Sequence, residues 1–348
     1  MLNLLKKLLS FALFITGMCA SCYALNLSKI NHLYFFGDSL TDAGYMNNAP
    51  AGFIPKGQTP VYTTPRGHVW AYYLAQKLGK TLSPNNIAPP PHNPSVNGIL
   101  HGNDYAAGGA VTVGQGIGML GYEPPSLVHQ VRQFLTIHHP DRHPNNLYFI
   151  WIGNNDILLS LRQSKKHWPL KRIAMLRHAV IRATHTIAQQ ITVLHNAGAT
   201  HIILFNQVAL GDSPYIHHSW ISSHVANDLA DYFDRRLKSE LSKLKQHGIV
   251  VPVFDAHKTF DTLLKTIDKT GVYSDNNVTL TNTTDMACLT SKKDPKVLAI
   301  VCRHWVAPSV YQHYVFADIV HPTNAAHQVL ADKVYNWLQT LPANSWTR

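Results

Sequence analysis

Four short runs of consecutive apolar residues punctuate this chain: Leu33–Phe36, Leu147–Ile152, Ile202–Phe205 and Ile249–Phe254. A run that is apolar at every position reads as a strand covered on both faces. Gly37 and Gly153 break the first two runs, and Pro252 places the last at a sheet edge. Between the runs, hydrophobic residues recur at spacings of three and four, the period of an amphipathic helix. Val69, Tyr72, Tyr73 and Leu78 mark a short one, stopped at Gly79. Ser126 caps a second that runs to Ile137. The strongest spans residues 171–196, with Ile173, Leu176, Val180, Ala183, Ile187, Ile191 and Leu194 on its inner face. Val225, Leu229, Tyr232, Leu237, Leu241 and Leu244 define another, stopped at Gly248. The last runs from Thr323, its cap, to Leu338, with Ala326, Leu330, Val334 and Trp337 inside. Strands alternating with long helices predict an α/β fold, a parallel sheet with helices on both faces. Residues 45–67 and 83–102, rich in Pro, Gly, Asn and Thr, read as long loops. No internal repeat or linker divides the chain, so residues 25–348 are expected to form one domain.

The first 24 residues stand apart. Lys6 and Lys7 precede an apolar stretch, Leu8 to Gly17, and Cys22-Tyr23-Ala24 ends it. This is the pattern of a secretory signal peptide cut near Ala24, which implies a secreted or periplasmic protein. Cleavage removes two lysines and lowers the formal charge from +11 to +9. A basic balance suits an anionic membrane surface. No nucleic-acid motif is present, and no nucleic-acid partner is expected. Cleavage also leaves two cysteines, Cys288 and Cys302, which an exported protein would join in a disulfide. The polar segment enclosed, Thr290 to Lys296, reads as exposed and open to proteolysis.

Candidate chemistry begins at Gly37-Asp38-Ser39-Leu40, directly after the first apolar run. Ser39 falls at the carboxyl end of a strand, where open α/β sheets hold their sites. If a helix starts at Leu40, its free N–H groups favour negative charge beside Ser39. Near the other end of the chain stands Asp318-Ile319-Val320-His321. Its carboxylate can hold the imidazole Nδ1–H and leave Nε2 to take a proton from Ser39. Two further blocks supply oxyanion donors. In Asp104-Tyr105-Ala106-Ala107-Gly108-Gly109-Ala110 a glycine lets a backbone N–H approach a carbonyl closely; in Gly153-Asn154-Asn155-Asp156 a side-chain amide can donate. Each block alone reads equally as a turn or a helix cap. The glycines of 114–121 lack the strand and helix of a dinucleotide site. His138, His139, Asp141 and His143 cluster in sequence, but Pro140 and Pro144 break their spacing, and neither metal nor cofactor is expected.

In this order the four blocks resemble the GDSL family of SGNH hydrolases. The resemblance implies a flavodoxin-like three-layer α/β/α sandwich. It implies Ser39 as nucleophile, Asp318 and His321 as its partners, and an oxyanion hole of the Ser39 N–H, the Gly109 N–H and the Asn155 amide, with Gly108 the near alternative. The asparagine usual before the aromatic of the second block is Asp104 here, with Asn103 one place early. Within the family, the chain looks most like secreted bacterial phospholipases, lysophospholipases and glycerophospholipid–cholesterol acyltransferases. That likeness implies a phospholipid or lysophospholipid substrate, a peripheral contact with membrane, cholesterol as an alternative acyl acceptor, and an activating protease acting on the Cys288–Cys302 loop. Two other readings stay open. An esterase of acetylated carbohydrate would use the same residues in a shallow polar cleft, and a surface-binding protein would carry the fold without catalysis.

Overall fold

Successive side chains of a strand point to opposite faces, so a fully apolar run needs cover on both sides. The computed structural model describes residues 25–47, 54–85, 102–119, 123–138, 140, 145–208, 210–217, 222–289, 297–342 and 345–346. Four strands, β1 (His32–Gly37), β2 (Asn146–Trp151), β3 (His201–Phe205) and β4 (Val253–Phe254), form a parallel sheet in the order β1-β2-β3-β4. Leu33 stands opposite Leu147, Leu147 opposite His201, and Leu204 opposite Val253. The second block of the sequence runs along the free side of β1. Phe35 N–H donates to Asn103 O at 2.9 Å, and Tyr105 N–H donates to Phe35 O at 2.8 Å. Counting that segment as second in the chain, the spatial order is 2-1-3-4-5, the flavodoxin-like arrangement. The order reverses between β1 and β2, and a crevice opens at their carboxyl ends.

Among the described residues, seven helices of eight residues or more cover the sheet: α1 (Trp70–Lys77), α2 (Leu127–Ile137), α3 (Asn154–Ser164), α4 (Pro169–Asn196), α5 (Ser223–Gln246), α6 (Ala256–Thr270) and α7 (Asn324–Thr340). Tyr34, Phe36, Tyr148, Ile150, Ile202 and Leu204 pack in one core with α2 to α5. Leu33, Phe35, Leu147, Phe149, Ile203 and Phe205 pack in the other with α1, α6 and α7. The alternation along each strand thus divides the two cores, giving three layers.

The departures from expectation have physical causes. The fourth strand is only Val253–Phe254, because the chain before it meets β3 through a single bond, from Leu204 N–H to Pro252 O. Burial in α4 begins at Leu176, so Ile173, expected inside, is exposed. In α5 the inner face is Ala226, Leu229, Ala230, Phe233 and Leu237, which turns Val225 outward. Ser126 sits at the N-cap of α2, but its hydroxyl pairs with His129 Nδ1 instead of a backbone N–H. Helices α3 and α6 were not among the expected elements. Nor were the hairpin β5 (Tyr273–Asp275) and β6 (Val278–Leu280), or the parallel pair β7 (Asn282–Met286) and β8 (Tyr314–Phe316). Among the described residues no helix is long and apolar enough to cross a membrane. The expected signal peptide, residues 1–24, lies outside the described residues.

Candidate active site

The first loop leaves β1 at Gly37, where a Cβ would fall 2.4 Å from Trp151 O. Gln130 clamps this glycine from α2, accepting its N–H at 2.9 Å and donating to its carbonyl at 2.8 Å. No helix starts at Leu40, so no helix N-terminus stands beside Ser39. Thr41 and Asp42 N–H both donate to Asp38 O at 3.0 Å, closing one turn, and Asp38 Oδ1 accepts Leu40 N–H at 3.1 Å. The turn holds Ser39 at the wall of a cavity, largely buried.

The last loop brings the other two groups to it. His321 Nε2 lies 2.7 Å from Ser39 Oγ, and His321 Nδ1 lies 2.7 Å and 2.9 Å from the two Asp318 oxygens. Burial alone would raise the Asp318 carboxyl. The charge and hydrogen bond of His321, with the N–H groups of Val320 and Ala299, instead hold it below the usual carboxylate range. An ionised carboxylate only accepts hydrogen bonds, so Nδ1 carries the proton and Nε2 is left to accept from Ser39 Oγ–H. Tyr62 lies against the imidazole, with ring centroids 4.9 Å apart.

The two glycines of the second block are not equivalent. Gly108 N–H donates to Asp42 Oδ2 at 2.8 Å and is committed there. Gly109, at φ +83°, lines the cavity with Ser39 and His321, and a Cβ on it would meet Ile117 O at 2.2 Å. Asp42 and Asp104 stitch this block to the first loop, since Asp104 Oδ2 accepts Ala43 N–H at 2.8 Å. Asn103 stays outside the site and donates to Leu33 O and Thr81 O. In the third block Gly153 turns the chain at φ +128° into α3. Asn154 and Asn155 both line the cavity, and Asn155 Nδ2 is held by Ala110 O at 3.0 Å. An amide carries two N–H groups, so one remains for a ligand. Asp156 accepts from the backbone and hydroxyl of Thr112, and burial pushes its carboxyl up to about 6.

The cavity holds about 230 Å³. Beside Ser39, His321 and the two asparagines, it is walled by Leu40, Ile117, Met119, Leu158, Leu298 and Ile319, a largely apolar surface. Cys288 and Cys302 are joined, with Cα atoms 6.0 Å apart. The loop they close reaches the site: Leu298 lines the cavity, and Ala299 N–H donates to Asp318 Oδ2 at 2.5 Å. Residues 290–296 of that loop lie outside the described residues, as do His139, Asp141 and His143. Among the described residues no group of His, Cys, Asp and Glu is placed to hold a metal ion. Sequence reasoning did not find the roles of Gln130, Asp42, Tyr62 and Ala299. Asp42 lies just after the first motif, and an acidic side chain there, before Ala43-Gly44, was the available signal.

A family model described as GDSL-like lipase/acylhydrolase matches residues 33–334. Lipase 1 of Photorhabdus luminescens is 28% identical over 279 residues, which cover 76% of this chain and 38% of that protein. The thermolabile hemolysin of Vibrio parahaemolyticus is 24% identical over 320 residues, 89% of this chain and 64% of its own length. The phosphatidylcholine-sterol acyltransferase of Aeromonas hydrophila is 24% identical over 338 residues, 89% of this chain and 90% of its own. The chain therefore spans less than two thirds of the first two relatives and most of the third.

Proposed function

Because this chain belongs to the GDSL-like lipase/acylhydrolase family, we propose that it is a serine esterase of lipid acyl esters, a lysophospholipase or phospholipase A. The observation that carries this reading is the 2.7 Å contact of Ser39 Oγ with His321 Nε2 at the wall of an apolar cavity. Ser39 attacks the ester carbonyl as His321 takes its proton, and Asp318 holds the imidazolium that forms. The Ser39 and Gly109 N–H groups and the free N–H of Asn155 receive the oxyanion. His321 returns the proton to the departing alcohol, and water repeats the sequence on the acyl-enzyme. The apolar wall takes the acyl chain, which favours lipid over acetylated carbohydrate. A sterol hydroxyl entering in place of water would form a sterol ester by the same steps. We place the enzyme outside the cytoplasm, where the Cys288–Cys302 bond persists. Because their loop reaches Asp318, a protease cutting between Lys292 and Lys296 would alter activity.

The test is lipid profiling after incubation with phospholipid, lysophospholipid and cholesterol, with Ser39→Ala as control. Fatty acid released from phospholipid or lysophospholipid by the wild type alone supports the reading, and cholesterol ester adds acyl transfer. Release of acetate from acetylated xylan, with phospholipids untouched, would replace it with the carbohydrate reading.

A further inference from the structure

The corner between α3 and α4 displays what most surfaces hide. Trp168, Leu170 and Ile173 are 61%, 66% and 52% exposed, three large apolar side chains within six residues. The corner is not slack. Pro169 starts α4, and Arg172 Nη2 donates to Lys165 O and His167 O, both at 3.1 Å, which closes the turn beneath Trp168. The indole is thus presented outward by a braced backbone.

The charge along this segment is one-sided. From Arg162 to Arg182 the chain carries seven Lys or Arg residues and no Asp or Glu. Arg177 lies over the Tyr232 ring, but among the described residues Lys165, Lys166 and Lys171 form no ion pair. A neighbouring cavity of about 580 Å³ is lined by Lys171, His178 and Arg182, with buried Asp156 at its wall. Protein interfaces are depleted in lysine. Tryptophan and aliphatic knobs set among unpaired lysines instead match an anionic bilayer surface, with the apolar groups in the acyl boundary and the cations at the phosphates.

The corner is also joined to the Ser39 cavity, because α3 carries both. Leu158 and Arg162 line that cavity, and the next turn leads to Lys165 and Lys166. We propose that Trp168, Leu170 and Ile173, with Lys165, Lys166 and Lys171, dock this enzyme onto an anionic phospholipid surface beside the mouth of its acyl cavity. The proposal rests on the lipid-esterase reading above and adds where the enzyme meets its substrate phase.

The experiment uses the full chain carrying Ser39→Ala, so that vesicles survive, and measures co-sedimentation with phosphatidylcholine vesicles with and without phosphatidylserine. Binding should be stronger with phosphatidylserine and weaken as salt rises. Lys165→Gln with Lys166→Gln should lower it about tenfold or more. Trp168→Ser with Leu170→Ser and Ile173→Ser should lower binding to both vesicle types about tenfold or more. On the Ser39 background these variants should keep wild-type turnover of a soluble short-chain nitrophenyl ester, which also shows that they fold. Folded variants that bind vesicles like the parent would overturn the proposal. So would a wild-type dimer that the triple serine variant dissolves, since the patch would then belong to a second copy. Loss of the esterase reading has a different signature: no ester turnover by the wild type, whatever the vesicles show.

Discussion

Asp38 and Asp318 are both buried aspartates at one site, and their surroundings push them in opposite directions. Asp38 follows β1 and accepts one backbone N–H, from Leu40. Burial drives its carboxyl up to about 7, against the pull of that bond and of His321. Asp318 precedes α7 and accepts N–H groups from Val320, His321 and Ala299 besides the imidazole. Burial is the largest influence there too, yet those donors together outweigh it and keep the carboxyl below its ordinary value. Burial sets the cost of a charge, and at Asp318 the contact with His321, added to the backbone donors, decides that the charge is kept; Asp42 also accepts three backbone N–H groups, yet burial lifts it to about 6. The loop of the permanent anion adds an imidazole to its backbone donors, whereas Asp38, beside the hydroxyl, has the Leu40 N–H alone.

The contrast is broken most severely at Asp318. Asp318→Asn should cut kcat by about 10⁴ with little change in KM, because the amide favours the wrong tautomer of His321. Steady-state kinetics on a soluble ester would show it, and Asp38→Asn in the same assay should cost at most a few-fold. The oxyanion hole extends the same logic to a charge that exists only in the transition state. Asn155→Ala should lower turnover by about 10²–10³ with KM little moved, and Asn154→Ala should be milder. The reverse ranking would hand the donor role to Asn154.

Smaller effects follow from the surroundings. Cys288→Ser with Cys302→Ser should lower stability by about 3 kcal/mol at most. It should also reduce kcat several-fold, because Ala299 would hold Asp318 less firmly. Denaturant melts and kinetics separate the two effects, and unchanged turnover would show that the loop only staples. The smallest effect concerns pH. Asp38 has a raised folded value, so its penalty is full above about pH 7 and is relieved as pH falls toward the unfolded range. Asp318 runs the other way: its contribution is present above the unfolded range and is lost only as pH falls through its lowered folded value. Asp38→Asn should therefore raise the thermal midpoint at pH 8 and do so less at pH 5. An equal gain at both values would mean that Asp38 does not titrate in that window.

Much of the site was legible in the sequence because local motifs encode it. Gly37 to Leu40, Tyr105 to Ala110, Gly153 to Asp156 and Asp318 to His321 meet at one crevice, which the alternation of strands and helices foretells. The first three strands of the parallel sheet were equally plain, since short apolar runs rich in aromatic and β-branched residues favour a strand over a helix at that length. What stayed hidden depends on contacts distant in sequence. The absence of a helix after Ser39 follows from a turn closed on Asp38 O and from Asp42 reaching Gly108. The Gly108–Gly109 choice turns on that same bond. Strand β7, Asn282–Met286, has no apolar alternation because it is short and none of its residues is fully buried. Helix α6 is a plain omission, as Phe260, Leu263, Leu264 and Ile267 recur at helical spacing. Ile173 misled because periodicity marks a face without saying whether anything covers it.

The central claim is that Ser39 is the nucleophile, activated by His321. Labelling with a fluorophosphonate, followed by peptide mass mapping, tests it most directly. The account predicts one adduct per chain, on Ser39, lost in Ser39→Ala and strongly slowed in His321→Ala. An adduct on any other residue of the active protein, or esterase turnover persisting in folded Ser39→Ala, would contradict it.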